Sequence, residues 1–203
     1  MDAKKILIDN GHGVKTDGKR SPDNLLREYS WTRRIAARIV DRLKELGYDA
    51  ELLTPEVDDI PLGTRVRRAN AECAKYGASN VLCVSVHVNA AGDGKSWNGA
   101  NGWSVYVAPN ASANSKKLAQ CLYSEAERFK LQGNRYVPKE KYWKGNFAIV
   151  RDTKCPAVLT ENMFMDNKKD CEYLLSDIGQ SQIVELHVRG IIKYITGKCD
   201  ICC

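Results

Sequence analysis

The chain has 203 residues, of which 43% are hydrophobic and 28% charged, an ordinary composition for one globular domain with a core. The net charge of +6 is spread along the chain without a basic block interleaved with aromatic residues, which argues against a nucleic-acid-binding protein. No stretch approaches the run of about 18 apolar residues that a membrane span needs, so none is expected.

In the first half of the chain, apolar patterning alternates between strands and helices. Residues 4–10 and 48–54 read as strands, and residues 79–90, which are apolar almost throughout, read as a strand covered on both faces. Residues 25–46 carry apolar side chains at spacings of three and four and predict a long amphipathic helix that ends at Gly47. A second helix is predicted over residues 60–77.

The second half continues the alternation. Strands are predicted over residues 103–109, 147–153 and 156–164, and helices over 112–130, 167–176 and 179–195, with a long loop over 131–146. Strands separated by helices predict an α/β fold: a single-domain three-layer sandwich with a mostly parallel sheet of about six strands. In such a sheet, ligands bind beyond the carboxyl ends of the strands.

Eight cysteines are present, and neither a disulfide framework nor a zinc-finger pattern is evident. Five stand singly and are interpreted as free, mostly buried thiols: Cys73, Cys83, Cys121, Cys155 and Cys171. The tail CDICC contains Cys199, Cys202 and Cys203, but no second pair follows its CxxC spacing. We therefore expect a frayed tail or a tail disulfide rather than a metal site there.

Only three histidines occur, and two of them follow predicted strands. His12 lies between two glycines after the first strand, and His87 lies late in the strand at residues 79–90. Two imidazoles at the same edge of a sheet can converge on one metal ion, although a single histidine at a strand end is more often structural. His187 falls on the flank of the last predicted helix and is interpreted as structural.

Two glutamates can complete a metal-dependent site at this edge. A catalytic zinc takes three protein ligands, and Glu28, at the start of the first helix, is the best third candidate. An acid in a first helical turn is equally explained by the helix dipole. Glu161 follows a buried strand, where it either accepts backbone N–H groups at the next turn or acts as general base for an attacking water.

Together these segments resemble the amidase-3 family, the zinc-dependent N-acetylmuramoyl-L-alanine amidases of bacterial autolysins and phage endolysins. The resemblance covers about residues 4–196 in the family's order. It is carried by ILIDNGHG, REYSWTRRIAARIVDRLKELGYDAELLT, IPLGTRVRRAN, SVHVNA and FAIVRDTKCPAVLTENMFMDN. The sequence departs from the family pattern at two places, with Met163 in place of a glycine and Thr54-Pro55 in place of Thr-Arg, and neither departure touches the metal set.

The resemblance implies a catalytic domain over residues 1–196 and a cysteine-rich tail over 197–203. It implies one zinc ion held by His12, Glu28 and His87, with Glu161 passing a proton to the leaving L-alanine amine. Asn89 is a weaker candidate for orienting the strand end. Another zinc peptidase or deacetylase, and an inactive wall-binding module, remain the alternatives.

The implied partner is peptidoglycan, bound by a monomer at the cell wall, either in the periplasm or outside the cell. The first residues, MDAKKILIDN, run directly into a strand without the apolar stretch of a signal peptide. We therefore expect a mature form, a protein exported by another route, or one that stays in the cytoplasm until lysis, as a phage endolysin does.

Overall fold

A computed structural model describes residues 5–197 of the chain. The tail cysteines predicted to be frayed or disulfide-bonded lie outside the described residues. Cys73, Cys83, Cys155 and Cys171 are buried free thiols, as predicted, and Cys121 is half-buried.

Strands and helices follow one another as the sequence predicts, except over residues 131–153. The strands are β1 Lys5–Asn10, β2 Ala50–Leu52, β3 Val81–Asn89, β4 Ser104–Val107, β5 Trp143–Lys144 and β6 Ala157–Phe164. The helices are α1 Glu28–Glu45, α2 Leu62–Tyr76, α3 Ala113–Arg128, α4 Ala148–Arg151, α5 Lys168–Leu175 and α6 Asp177–Thr196, with a short 3-10 turn at Ala78–Asn80. Within the described residues, no helix combines the length and apolarity that crossing a membrane requires.

The six strands form one sheet in the order β2-β1-β3-β6-β4-β5. β1 pairs in parallel with β2 and β3, and β3 pairs in parallel with β6. β4 runs antiparallel to β6. The first residues of β4 therefore lie at the edge where β1, β3 and β6 end, and this edge carries the candidate site.

Helices cover both faces of the sheet, so the predicted three-layer sandwich is confirmed. The larger core contains side chains of α1, α3 and α6 against one face, and the smaller core contains side chains of α2 and α4 against the other. Successive side chains of a strand point to opposite faces of the sheet, so Ile6 and Ile8 of β1 join the larger core and Leu7 joins the smaller one.

Two predictions between α3 and β6 were wrong. Residues 147–153, predicted as a strand, contain helix α4, in which Ile149 and Val150 pack into the smaller core. The predicted loop over residues 131–146 contains strand β5, which is only two residues long. An apolar run of four residues fits a strand and one helical turn equally well, so its packing partners decide between them.

Candidate metal centre

His12 and His87 meet at the carboxyl edge of the sheet, as predicted. Their ring centroids are 5.1 Å apart and the rings are almost perpendicular. Gly11 makes this approach possible, because a Cβ atom at that position would lie 2.5 Å from Nδ1 of His87. His12 itself adopts a positive φ of 60°, which turns the chain sharply after β1.

Glu28, the first residue of α1, lies between the two imidazoles. Its Oε1 is 3.2 Å from Nδ1 of His87 and its Oε2 is 3.3 Å from Nε2 of His12. Oε1 also accepts a 2.9 Å hydrogen bond from the Val88 N–H, and the side chain is only 1% exposed. The helix start is anchored beside the site because the Glu28 N–H donates to the Lys19 carbonyl.

His12, Glu28 and His87, called here the His–Glu–His cluster, fit the requirements of a metal site. Each offers a ligand atom, and these atoms all lie within 4.8 Å of one another. Glu28 Oε2 is buried and has no hydrogen-bond partner within residues 5–197, despite its closeness to His12. An orphaned carboxylate oxygen facing two imidazoles suits a cation, and two histidines with one carboxylate are a recurring ligand set of catalytic zinc.

The ionisation of the cluster is strongly coupled. Burial opposes ionisation of Glu28, but its hydrogen bond to His87 and the two nearby imidazoles outweigh burial and hold the pKa of Glu28 below its usual value. Burial also disfavours the charged form of His87, yet the hydrogen bond and charge of Glu28 raise its pKa. Burial lowers the pKa of His12.

Glu161 lies on β6 directly opposite His87 in the parallel register. Its Oε2 is buried without a hydrogen-bond partner in the described part of the chain. Burial raises the pKa of Glu161 to about 7, with the proximity of His87 opposing this rise and the negative charge of Glu28 adding to it. A carboxylate that titrates near neutrality is suited to accept and return a proton during a reaction.

A groove of about 520 Å³ opens beside these side chains. His12, His87 and Glu161 lie in its wall. Seven of the other 13 lining residues are apolar, and the rest are polar or charged. The apolar ones come from the segment around the start of α2, from α4 and the residue before it, and from β6: Ile60, Pro61, Leu62, Phe147, Ala148, Ile149 and Leu159. Phe147 and Leu62 are 39% and 59% exposed, so apolar surface is available to a ligand beside the polar cluster.

A buried ionic network, which the sequence analysis missed, supports the turn that carries His12. Arg65 on α2 donates from Nη1 to Oδ1 of Asp9 at 2.9 Å and also to the Asn10 carbonyl. Asp9 further accepts hydrogen bonds from Ser85 and Thr54. The sequence signal for this network is Asp9, which directly follows three apolar residues in a buried strand. An aspartate is rarely buried unless its carboxylate is paired.

Asn162, which the sequence did not point to, supports the backbone of His87. Its Nδ2 donates to the His87 carbonyl at 2.8 Å, and its Oδ1 accepts the indole N–H of Trp103 at 2.7 Å. The side chain of Asn89 accepts the N–H of Ala90 at the strand end, and its role in orienting that end stays a prediction.

His187 is structural, although it is not on an exposed helix flank. It is fully buried, and its Nε2 lies 3.0 Å from Oγ1 of Thr160, while its Nδ1 lies 2.8 Å from the Ile183 carbonyl. The histidine therefore joins α6 to β6 on the sheet face opposite the groove. The sequence alone does not reveal this contact, because it depends on which residue of the neighbouring strand faces the histidine.

Comparison with known proteins assigns the chain to a family. A family model described as N-acetylmuramoyl-L-alanine amidase matches residues 6–193. An endolysin of Bacillus phage SPP1 is 31% identical over 97% of this chain and 68% of its own length. A germination-specific N-acetylmuramoyl-L-alanine amidase of Bacillus subtilis is 30% identical over 98% of this chain and 83% of its own length.

Solved structures agree with this assignment. The crystal structure of an N-acetylmuramoyl-L-alanine amidase from Clostridium difficile 630 has a TM-score of 0.82 and 25% identity, covering 98% of this chain and all of that one. The amidase Ami1 from Mycobacterium smegmatis, at 16% identity and a TM-score of 0.81, shares the fold. The chain belongs to the amidase-3 family, the N-acetylmuramoyl-L-alanine amidases, which hydrolyse an amide bond of peptidoglycan.

Proposed function

We propose that the chain cleaves the amide between N-acetylmuramic acid and L-alanine in the groove beside the His–Glu–His cluster. One zinc ion is held there by His12, Glu28 and His87, and Glu161 moves the proton. The observation that carries this proposal is the convergence of three ligand atoms within 4.8 Å, with the half-buried carboxyl group of Glu161 opposite His87 on the neighbouring strand.

The roles divide between the metal and the protein. When bound, zinc supplies a Lewis acid that polarises the substrate carbonyl and makes water a nucleophile near neutral pH. Glu161, opposite His87, accepts the proton of the attacking water and delivers it to the L-alanine amine as the C–N bond breaks. The water supplies the new carboxylate oxygen of the lactyl group, so the products are a free acid and a free amine.

The remaining residues orient the reactants and restrict water. Asn162 fixes the backbone of His87, and Gly11 leaves room for its ring. The apolar side chains of the groove, among them Phe147 and Leu159, cover the substrate around the reacting amide. This placement holds the amide between the His–Glu–His cluster and Glu161.

The substrate sets where the protein acts. Peptidoglycan places the enzyme at the cell wall, in the periplasm or outside the cell, and a net charge of +6 favours contact with an anionic envelope. We expect it to act as a monomer, and light scattering of the purified protein tests this.

The decisive test identifies the bond that is cut. Purified peptidoglycan is digested, newly exposed amines are labelled, and the soluble fragments are sequenced by mass spectrometry. The proposal predicts peptides that begin with L-alanine and glycan strands with free lactyl carboxylates. Cleavage at another amide would support a different zinc peptidase or a deacetylase, and wall binding without released peptide would support an inactive module. The Glu161→Gln variant serves as the blank.

A further inference from the structure

Arg135, in the loop between α3 and β5, is held in a fixed orientation by two neutral oxygen atoms. Its Nη1 donates to Oγ of Ser104 at 3.2 Å, and its Nη2 donates to the hydroxyl of Tyr106 at 3.1 Å. A guanidinium has five N–H donors, so Nε–H and one N–H on each Nη remain for another partner.

Aromatic faces complete the setting of this guanidinium. Cζ of Arg135 lies 5.2 Å from the ring centroid of Trp143 and 5.6 Å from that of Phe164. These contacts stabilise the cation without neutralising it. Within residues 5–197, no carboxylate forms an ion pair with Arg135. The half-buried guanidinium is therefore preorganised and keeps its charge for a ligand.

Arg135 lies next to the proposed proton-transfer residue. Ser104 is paired with Glu161 across the antiparallel β4–β6 ladder, and directly opposite residues in such a ladder stand side by side on one face. Tyr106 follows Ser104 on the same face and contacts the ring of Phe147, with centroids 5.5 Å apart. Because Phe147 lines the groove, the surroundings of Arg135 continue the substrate groove.

The strand order places Arg135 beyond Glu161 along the edge of the sheet. Along β1, β3, β6 and β4 the edge presents His12, then His87, then Glu161, and then Arg135 above β4. In the proposed reaction the leaving amine receives its proton at Glu161, so the peptide that it heads begins there, and β4 is the next strand along this edge. Arg135 lies in that direction, on the side away from the His–Glu–His cluster.

We propose that Arg135 binds a carboxylate of the peptide stem and makes the enzyme prefer stems in which this carboxylate is free rather than amidated. This inference rests on the proposed function. Guanidinium and carboxylate match in geometry, and a hydrogen bond between charged partners is stronger than one between neutral groups. The residue is a specificity determinant that contacts the substrate outside the reacting amide.

The test uses two synthetic N-acetylmuramoyl peptides that differ only in whether the stem carboxylates are free or amidated. Wild type is expected to have a kcat/KM about 10- to 100-fold higher for the free acid, with the difference mainly in KM. Arg135→Gln is expected to cut both peptides with the lower kcat/KM that wild type has for the amidated peptide. Arg135→Lys keeps the charge but loses the planar fork, so we expect an intermediate preference.

Binding provides a readout that is independent of turnover. In a Glu161→Gln background, calorimetry with zinc present is expected to show the same preference for the free acid and its loss on adding Arg135→Gln. Arg34→Gln, which removes one positive charge from an exposed position on α1, is the matched control and should retain the preference.

Each other outcome overturns the inference. A preference that persists in Arg135→Gln would assign the carboxylate to another residue. An equal loss for both peptides, accompanied by a lower melting temperature, would make Arg135 an anchor for its loop only. If wild type cuts neither peptide at the lactyl amide, the proposed function itself fails. That result is measured on wild type, so it is distinct from any effect of an Arg135 substitution.

Discussion

Oε1 of Glu28 lies 3.2 Å from Nδ1 of His87, although the two residues are 59 positions apart in the sequence. The contact joins the start of α1 to the end of β3, and the Val88 N–H fixes the same oxygen at 2.9 Å. A carboxylate that is 1% exposed is costly to bury unless cations or hydrogen bonds stabilise it. The arrangement of His12 and His87 at the sheet edge therefore depends on Glu28.

The first prediction concerns metal affinity. Glu28→Gln keeps the shape of the side chain but removes its charge, so we expect zinc affinity to fall by more than about 100-fold. Zinc content after dialysis against a metal buffer measures this. Glu45→Gln, at the exposed far end of α1, is the control and should bind zinc like wild type. Unchanged zinc content in Glu28→Gln would show that Glu28 is not a ligand.

The second prediction concerns stability. A ligand that binds only the folded state stabilises it, by about 2.7 kcal/mol at a free concentration of 100 times its Kd. Adding zinc should therefore raise the melting temperature of wild type, and a chelator should reverse the shift. Glu28→Gln should show little shift at the same zinc concentration. An equal shift in both proteins would place the stabilising metal elsewhere.

The third prediction separates proton transfer from metal binding. Glu161→Gln removes the group that accepts the proton, and general acid–base catalysis typically contributes about 10²- to 10⁴-fold. We expect turnover to fall by that factor while zinc content stays at one ion per chain. Loss of zinc together with activity would instead make Glu161 a ligand.

The fourth prediction concerns pH and His187. Burial lowers the pKa of His187 to about 4, although its hydrogen bond to the Ile183 carbonyl opposes this. The unfolded chain, with a histidine pKa of about 6.5, binds more protons between pH 6.5 and 4, so this contribution to stability is present above pH 6.5 and is lost as the pH falls.

His187→Gln removes that titration while retaining a group that can bond Thr160. Between pH 7 and pH 5, wild type should lose about 2 kcal/mol more unfolding free energy than His187→Gln, as measured by urea denaturation of metal-free protein. Parallel pH profiles for the two proteins would mean that His187 can be protonated in the folded state.

The fifth prediction concerns the network behind His12. Asp9 and Arg65 have side chains that are 2% and 3% exposed, and removing one partner of such a pair leaves a buried unpaired charge. Asp9→Ala should therefore cost about 3–5 kcal/mol in unfolding free energy. Glu56→Ala breaks the half-exposed pair with Arg68 and should cost less than about 1 kcal/mol. Similar costs for the two variants would show that the buried pair is dispensable.

The sequence predicts those parts of the fold that long patterns define. The strand order could not be read from it, but the long apolar run around His87 and the amphipathic helix after Glu28 led to the correct layers. The short elements β5 and α4 were missed or wrong, because two to four residues carry no periodicity and tertiary contacts choose their conformation.

The candidate site divides in the same way. His12 and His87 were evident because few residue types bind zinc and both follow strands, while Glu28 and Glu161 gained weight from the family resemblance. No sequence pattern pointed to Asn162, because its role is a hydrogen bond to a backbone carbonyl of a neighbouring strand. Such contacts depend on register between strands far apart in the chain.

Anomalous diffraction at the zinc edge, from crystals grown with zinc, shows whether His12, Glu28 and His87 hold one zinc ion beside Glu161. We expect a single strong peak within about 2.0–2.2 Å of one ligand atom from each of the three residues. A peak at any other position, or one that Glu28 does not contact, would contradict this expectation.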